Sequence, residues 1–130
     1  PVYRYKLNDI LVENPEPCSC GYHYTRIDKV EGRSDDIFYF EGQDGGQVTI
    51  YPDFIRRCIL FVENVGDYQV KQHSEKIVEV CLSQRDEQVE AAITAQFQLL
   101  AQQKQFKVPE IHFSDYHWDT SRKLKRIQRL

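Results

Sequence analysis

The segment IFYFEGQDGGQVTIY, residues 37–51, predicts a β-hairpin. Two runs of β-branched and aromatic residues, 37–40 and 47–51, flank the turn formers of residues 43–46. Gly45 and Gly46 supply the positive φ angles that a tight hairpin requires. Residues 1–31 are instead rich in turn formers and only weakly periodic, with short strands indicated at 10–12 and 24–30. The hairpin therefore marks the start of a compact unit.

Two helices and further strands follow the hairpin. Pro52 suits the first turn of a helix, and the apolar residues of 54–62 recur at three- and four-residue spacings. A second apolar stripe over residues 89–100 predicts a longer helix, which Ser83 is expected to cap. Residues 67–72, 76–82 and 108–113 read as strands, the last at an edge of the sheet because it contains a proline.

The predicted fold class is α+β. We expect a small mixed or antiparallel sheet with two helices packed on it, preceded by a loop-rich β segment. The short polar stretch 32–36 separates the two parts. The expected divisions are thus residues 1–31, a boundary at 32–36, and a compact unit over 37–130.

Composition places the chain among folded proteins and excludes several classes. It has 130 residues, of which 41% are hydrophobic and 28% charged, so disorder is not expected. No apolar run approaches the roughly 20 residues of a membrane span, and no signal peptide opens the chain. We therefore expect a cytoplasmic protein with no membrane partner. The chain begins at Pro1 and lacks methionine, which indicates a processed or excised product.

Positive charge is concentrated at the C-terminus. Residues 120–130 contain five basic and no acidic side chains, whereas the remainder holds 12 basic and 20 acidic residues and carries a net charge of −8. Such a tail favours an anionic partner, although a solvated helix face would have the same composition. Nucleic acid is not expected, because the acidic remainder would repel a phosphate backbone.

Two of the four cysteines invite comparison with metal sites. Cys18 and Cys20 can share a metal ion, but a closed zinc site needs four ligands and His23 is the one nearby third candidate. Zinc is therefore not expected, and Cys18 and Cys20 remain weak candidates. Cys58 and Cys81 lie within apolar runs and are expected in the core.

Five motifs are distributed over nearly the whole chain. They are YRYKLND (residues 3–9), PCSCG (17–21), EGRSDDI (31–37), YPDFI (51–55) and TSRKLKRI (120–127). In this order they resemble the motifs in the C-terminal part of adenylate-forming enzymes of the phenylacetate–CoA ligase and coenzyme F synthetase type.

The resemblance implies roles for three residues near the boundary. Asp9 would accept hydrogen bonds from the ribose hydroxyls of the adenylate, since a carboxylate offers acceptors alone. Arg33 would lie close to the nucleotide, and Asp35 would be the hinge about which a small domain rotates. The alternatives from local chemistry are a turn cap for Asp9 and a surface ion pair for Arg33.

The resemblance also implies that Lys123 is the catalytic lysine, which would contact the α-phosphate and the carboxylate oxygens. A cation placed at developing negative charge stabilises the transition state more than the ground state. The sequence departs from the family here, because Arg122 stands where a glycine normally precedes the lysine. Lys125 is the substitute candidate, and a merely solvated Lys123 is the alternative.

The implied activity is that of a ligase that activates a small carboxylic acid with ATP. It would form an acyl-adenylate (AMP ester) and pyrophosphate with Mg²⁺ in the complete enzyme, and a CoA thioester could follow. The ATP-binding loop and the acyl pocket are not in these motifs. We therefore expect the partner of this chain to be the missing N-terminal domain, and the isolated chain to be inactive.

Two other classes of function remain open at this point. Small folds of alternating strands and helices often bind ligands or form interfaces, so a regulatory or interaction domain without catalysis is one alternative. A zinc-stabilised module centred on Cys18 and Cys20 is the other.

Overall fold

The computed structural model describes residues 4, 7–117 and 124–130. Within them a 3₁₀ turn, Ser34–Asp36, joins an N-terminal pair of strands to the rest. The elements are β1 (Asp9–Asn14), β2 (Arg26–Arg33), β3 (Phe38–Glu41), β4 (Gln47–Ile50), α1 (Pro52–Leu60), β5 (Tyr68–Ser74), β6 (Ile77–Leu82), α2 (Glu87–Lys104), β7 (Glu110–Asp115) and β8 (Ile127–Arg129).

Three sheets organise these strands. β1 and β2 form an antiparallel ribbon, β3 and β4 form the predicted hairpin, and the four-stranded sheet has the order β7-β6-β5-β8. Its central pair β5 and β6 is antiparallel, while β7 and β8 are added in parallel. The predicted α+β class is therefore confirmed, including the mixed sheet. β7 is an edge strand as predicted, but it begins at Glu110, just after the proline that was expected within it.

The core lies between the four-stranded sheet, the hairpin and the two helices. Strand side chains alternate between two faces, so β5 and β6 direct every second residue, such as Val70, Val78 and Val80, into this core. The fully buried side chains include Phe38, Phe40, Ile50, Ile55, Ile59, Val70, Val78, Ile93, Phe97 and Phe106. Cys58 and Cys81 are also buried, as predicted.

The turn between β3 and β4 confirms the predicted positive φ angle at Gly45 but not at Gly46. Gly45 has φ +85°, a backbone conformation that favours glycine. The Asp44 carboxylate accepts a hydrogen bond of 3.0 Å from the backbone N–H of Gly46. A Cβ at Gly42 would lie 2.7 Å from the same carboxylate, so the turn requires a glycine there too.

The two helices begin differently from one another. α1 begins at Pro52, as predicted, with no side-chain cap at Tyr51. α2 begins at Glu87, and the cap is Asp86, whose side chain accepts from the N–H groups of residues 88 and 89. The prediction that Ser83 caps this helix is wrong. Its hydroxyl instead accepts from the N–H of Asp67, because Ser83 directly follows β6 and lies opposite the residue that precedes β5.

The buried side chain of Gln72 connects two sheets. Its amide accepts from the backbone N–H of Tyr39 at 3.0 Å and donates to the carbonyl of Tyr39 at 2.5 Å. Gln72 lies in β5 and Tyr39 in β3, and no backbone ladder joins these strands. The side chain therefore satisfies two backbone groups that would otherwise be orphaned in the core.

β8 was not predicted as a strand. Three residues of the basic tail pair in parallel with β5, from Val70 opposite Ile127 to Gln72 opposite Arg129. Ile127 is buried and anchors the tail on the sheet. Within the described residues, neither helix combines the length and the apolar character needed to cross a membrane.

Candidate functional site

A cleft of about 820 Å³ lies where the 3₁₀ turn meets the basic tail. Asp36 of the turn, Arg56 of α1 and Tyr68 of β5 line it, and Lys125 and Arg126 of the tail close it. We call it the tail cleft. Two stretches that are about 90 residues apart in sequence are adjacent here because β8 pairs with the central strand β5.

Among the residues that the structure describes, three cations line the tail cleft, each next to a carboxylate. Arg56 lies 3.1 Å from Asp53 and Arg126 lies 3.4 Å from Asp67. Both pairs are solvent-exposed, and exposed ion pairs are individually weak. An anionic ligand can therefore compete with the carboxylates for these guanidinium groups.

Lys125 connects the tail to the 3₁₀ turn. Its ammonium Nζ lies 3.8 Å from Oδ1 of Asp36, a carboxylate that is only 16% exposed. The backbone of the same residue is also held, because its carbonyl accepts a hydrogen bond of 2.7 Å from the side chain of Gln69. The backbone of Lys125 is thus held by the sheet, and its ammonium group forms a longer ion pair with the turn.

The floor of the tail cleft is the buried ring of Tyr68. The guanidinium of Arg126 lies over this ring, 5.0 Å from its centroid, in a cation–π contact. Burial raises the pKa of Tyr68, and the positive charges of Arg126 and Arg56 offset part of that rise. Tyr68 therefore stays neutral at physiological pH and supplies a polar hydroxyl beside the cations.

The β1–β2 pairing brings together the backbone positions of three predicted site residues, Asp9, Arg33 and Asp35. Asp9 is the first residue of β1 and is exposed, and its register partner in β2 is Arg33. The N–H of Ser34 donates to the carbonyl of Asn8 at 2.7 Å, so the 3₁₀ turn that contains Asp35 starts beside β1. The roles of these residues remain predictions.

Lys123, the predicted catalytic lysine, lies outside the described residues. The nearest described residue in sequence is Leu124, which lines the tail cleft. The substitute candidate Lys125 lies in the cleft itself. The structure therefore brings the Asp-Asp turn and the basic tail together, whereas the placement of Lys123 stays a prediction.

The two weak metal candidates lie at the far end of the β1–β2 ribbon. The Sγ atoms of Cys18 and Cys20 are 2.7 Å apart in the loop that joins the strands. The eight residues of β2 separate this loop from the 3₁₀ turn, a distance of roughly 25 Å for an extended strand. Within the described part of the chain, no three His, Cys, Asp or Glu side chains form a group that could hold a metal ion.

A polar cluster on the open face of the four-stranded sheet was missed by sequence reasoning. Ser114 donates to one carboxylate oxygen of Glu79 at 2.6 Å, and His73 Nε2 lies 2.8 Å from the other. These two hydrogen bonds, Ser114 first, lower the pKa of Glu79. The carboxylate stands between the serine and the histidine, so the order is not that of a nucleophile activated by a histidine base.

This cluster could not be found from spacing along the chain. Its three members come from β5, β6 and β7, and only the strand register places them side by side. The sequence offered one signal, the alternation of polar and apolar residues within each strand. This alternation predicts which face of the sheet a residue lies on, but not which residues of other strands lie beside it.

Comparison with curated proteins shows similarity to a ligase. Phenylacetate-coenzyme A ligase of Thermus thermophilus is 31% identical to this chain over 71 residues. The predicted resemblance is confirmed. The matched residues are 54% of the chain but only 15% of the ligase, and no protein-family model matches the chain.

Two solved structures of 2-hydroxyisobutyryl-CoA ligase align with 95% of this chain and 27% of their own. The postadenylation state in complex with 2-HIB-AMP has a TM-score of 0.49 and 19% sequence identity. An open conformation in complex with 2-HIB-AMP and CoA has a TM-score of 0.47 and 18% identity. Likenesses at this level carry no conclusion about the chemistry of the present chain.

Proposed function

We propose that this chain is the C-terminal part of an ATP-dependent ligase that activates a carboxylic acid as an acyl-adenylate, acting in the cytoplasm. The observation that carries the proposal is the tail cleft, in which the carboxylate of Asp36 and the ammonium of Lys125 approach to 3.8 Å. The sequence similarity to a phenylacetate-coenzyme A ligase supports it.

The proposed division of the chain places the hinge at the end of β2 and in the 3₁₀ turn that follows it. Residues 1–31 end the large domain, 32–36 form the hinge, and 37–130 form a lid. The 3₁₀ turn is the one connection in sequence between the ribbon and the compact unit, so a change in a few of its torsions would rotate one relative to the other. In this arrangement Asp35 is the pivot, Asp9 accepts from the ribose of the nucleotide, and Arg33 lies beside it.

The tail would supply positive charge to the reacting phosphate. ATP, bound with Mg²⁺ to the upstream domain, provides the adenylyl group, and CoA would accept the acyl group afterwards. Lys123 neutralises the charge that develops as the carboxylate approaches the α-phosphate, which lowers the barrier to attack. Lys125 is held by Asp36 and by the sheet, so it either orients this segment or takes over the catalytic role.

The β1–β2 ribbon has a second feature that supports the proposal, an exposed apolar surface that a missing domain would cover. Leu11 and Val30 are direct cross-strand partners, and they are 46% and 59% exposed. Ile27, on the same ribbon, is 43% exposed. A two-stranded ribbon with several exposed apolar side chains needs a covering layer, which the upstream domain would provide.

The test is reconstitution of this chain with the upstream region of its parent enzyme. Pyrophosphate release is measured with ATP, Mg²⁺ and a panel of small carboxylic acids. We expect Lys123→Ala to lower the rate by about 10²–10³-fold, the usual cost of removing one donor that stabilises developing charge. Lys125→Ala is tested in parallel. Lys76→Ala is the matched control, since this lysine is 79% exposed and pairs with Glu41 away from the cleft.

Two results would contradict the proposal. One is a reconstituted enzyme whose pyrophosphate release does not rise when this chain is added. The other is full activity in Lys123→Ala, in Lys125→Ala and in the double variant. These results would favour the alternative, a regulatory or ligand-binding domain without catalysis. In such a domain both lysines are solvated surface residues, and their removal does not affect the rate.

A further inference from the structure

The loop of residues 15–25, which we call the thiol loop, holds two cysteines against each other. The backbone N–H of Gly21 donates to the carbonyl of Cys18 at 3.0 Å, which closes a β-turn over residues 18–21. Gly21 has φ +80° and ends the turn. Cys18 and Cys20 occupy the first and third positions of this turn, and their Sγ atoms are 2.7 Å apart.

The thiol loop is fixed to both strands of the ribbon. The guanidinium of Arg26 in β2 donates to the carbonyls of Glu16 and Pro17, at 3.0 and 3.1 Å. The side chain of Asn14 in β1 accepts from the N–H of Glu16 and donates to Asp28, both at 2.9 Å. The residues just before Cys18 are therefore held in place, which raises the effective concentration of one thiol at the other.

The two thiols are accessible and chemically distinct from the core cysteines. Cys20 is exposed and Cys18 is half-buried. The contact with Cys18, and then a backbone hydrogen bond with Tyr22, lower the pKa of Cys20, so more of it is thiolate at neutral pH. Burial instead raises the pKa of Cys58 to about 12, which leaves that thiol inert.

A shared zinc ion fits this pair less well than a bond between the sulfurs. Tetrahedral zinc holds its thiolates at Zn–S distances of about 2.3 Å, which sets the sulfurs roughly 3.8 Å apart. The observed separation of 2.7 Å is much shorter. Among the described residues no third His, Cys, Asp or Glu joins the two thiols in a metal-binding group, so a zinc site here would need ligands from outside them.

We propose that Cys18 and Cys20 form a reversible dithiol–disulfide site that exchanges with low-molecular-weight disulfides. The Cys20 thiolate attacks one sulfur of such a disulfide and releases a thiolate, which takes up a proton. Cys18, after losing its proton, attacks the Cys20 sulfur of the mixed disulfide and releases the second thiol. The protein pair loses two protons and two electrons, and the small disulfide is reduced to two thiols. The site lies at the opposite end of the ribbon from the tail cleft, so it does not depend on the proposed ligase function.

The experiment equilibrates the purified chain with glutathione buffers of increasing oxidised fraction. Samples are quenched with acid, alkylated with N-ethylmaleimide under denaturing conditions and analysed by peptide mass spectrometry. We expect the peptide that contains Cys18 and Cys20 to lose both N-ethylmaleimide groups together as the buffer becomes more oxidising. Its mass should then be about 2 Da below that of the unalkylated dithiol peptide, because disulfide formation removes two hydrogen atoms. Cys58 and Cys81 should remain fully alkylated in every sample.

Three variants sharpen the test. Cys18→Ser and Cys20→Ser each leave one thiol, which should accumulate as a mixed disulfide with glutathione. Arg26→Gln should lower the equilibrium constant for ring closure by about threefold, because two exposed hydrogen bonds to the loop are lost. An unchanged constant would show that Arg26 does not position the loop.

Two outcomes overturn the proposal. In one, the wild-type chain keeps both thiols alkylatable, or carries stable glutathione adducts, in the most oxidising buffer. In the other, the purified chain carries one equivalent of zinc that protects both thiols from alkylation until a chelator removes it.

Discussion

The β1–β2 ribbon and the compact unit of residues 37–117 and 124–130 differ in how far their apolar side chains are buried. In the compact unit, Phe38, Phe40 and Ile93 have no accessible surface. In the ribbon, the cross-strand partners Leu11 and Val30 are about half exposed. Both regions are rich in strand-forming residues, so composition is not the difference.

The difference is the number of layers. A strand buries a face only when another element packs on it, and the compact unit supplies two helices and a hairpin for that purpose. The ribbon is held mainly by its own backbone hydrogen bonds and by exposed cross-strand polar contacts, such as the hydrogen bond of 2.9 Å that Asn14 donates to Asp28. Its apolar residues therefore indicate a surface that another part of a larger protein covers.

The largest expected effect separates these two regions directly. Phe40→Ala should lower the free energy of unfolding by about 3–5 kcal/mol, because it leaves a cavity against Phe106, whose ring is stacked 4.5 Å away. Leu11→Ala in the ribbon should change it by less than about 0.5 kcal/mol. Urea unfolding of the isolated chain measures both. Equal losses in the two variants would show that the ribbon is packed as firmly as the core.

A smaller effect is expected at the link between the sheets. Gln72→Ala should lower the free energy of unfolding by about 1–3 kcal/mol, because the N–H and carbonyl of Tyr39 lose their partners inside the core. Gln102→Ala, an exposed position of α2, is the control and should be close to neutral. If the two variants unfold at the same urea concentration, water replaces the lost amide and the link is dispensable.

The next effect concerns the open face of the sheet and depends on pH. Hydrogen bonds from Ser114 and His73 lower the pKa of Glu79 below its ordinary value of 4.5. A lowered pKa in the folded state stabilises the fold fully above that ordinary value, and the contribution disappears as the pH falls through the lowered pKa.

Ser114→Ala should therefore raise the pKa of Glu79 toward 4.5 and reduce the stability that is lost on acidification. Carbon-13 NMR titration of the Glu79 carboxyl measures the first change, and urea unfolding from about pH 3 to pH 7 measures the second. Ser19→Ala, in the thiol loop, is the control. A Glu79 titration unaffected by Ser114→Ala would show that the hydroxyl does not stabilise the carboxylate.

The smallest effect is expected in the tail cleft. Lys125→Ala should cost about 1 kcal/mol or less in the free energy of unfolding, because its pair with Asp36 is partly exposed. Under the proposed function the same substitution changes the rate of the reconstituted enzyme more than it changes stability. A loss of several kcal/mol would instead make Lys125 a structural residue of the compact unit.

Much of the compact unit was predictable from local patterns. The turn formers of residues 43–46 located the hairpin, although Gly45 has a positive φ angle and Gly46 does not. Pro52 marked the start of α1, and the apolar stripe of α2 identified its buried face. The cap of α2 was misassigned to Ser83. Serine and aspartate are both good N-caps, and only the folded helix shows that the N–H groups of residues 88 and 89 donate to Asp86. The backbone brings Asp9 and Arg33 together as cross-strand partners, and the turn that contains Asp35 follows directly. The roles of these three residues stay predictions.

The sequence by itself determined the elements, the cysteines of the core and the resemblance to phenylacetate–CoA ligases, because periodicity and short motifs are local properties. Only the tertiary structure decided that the tail adds β8 beside β5, that Asp36 and Lys125 share a cleft, and that Glu79 lies between Ser114 and His73. Each of these contacts depends on strand order and register, which hydrogen bonds and packing between distant segments set, and which no local pattern encodes.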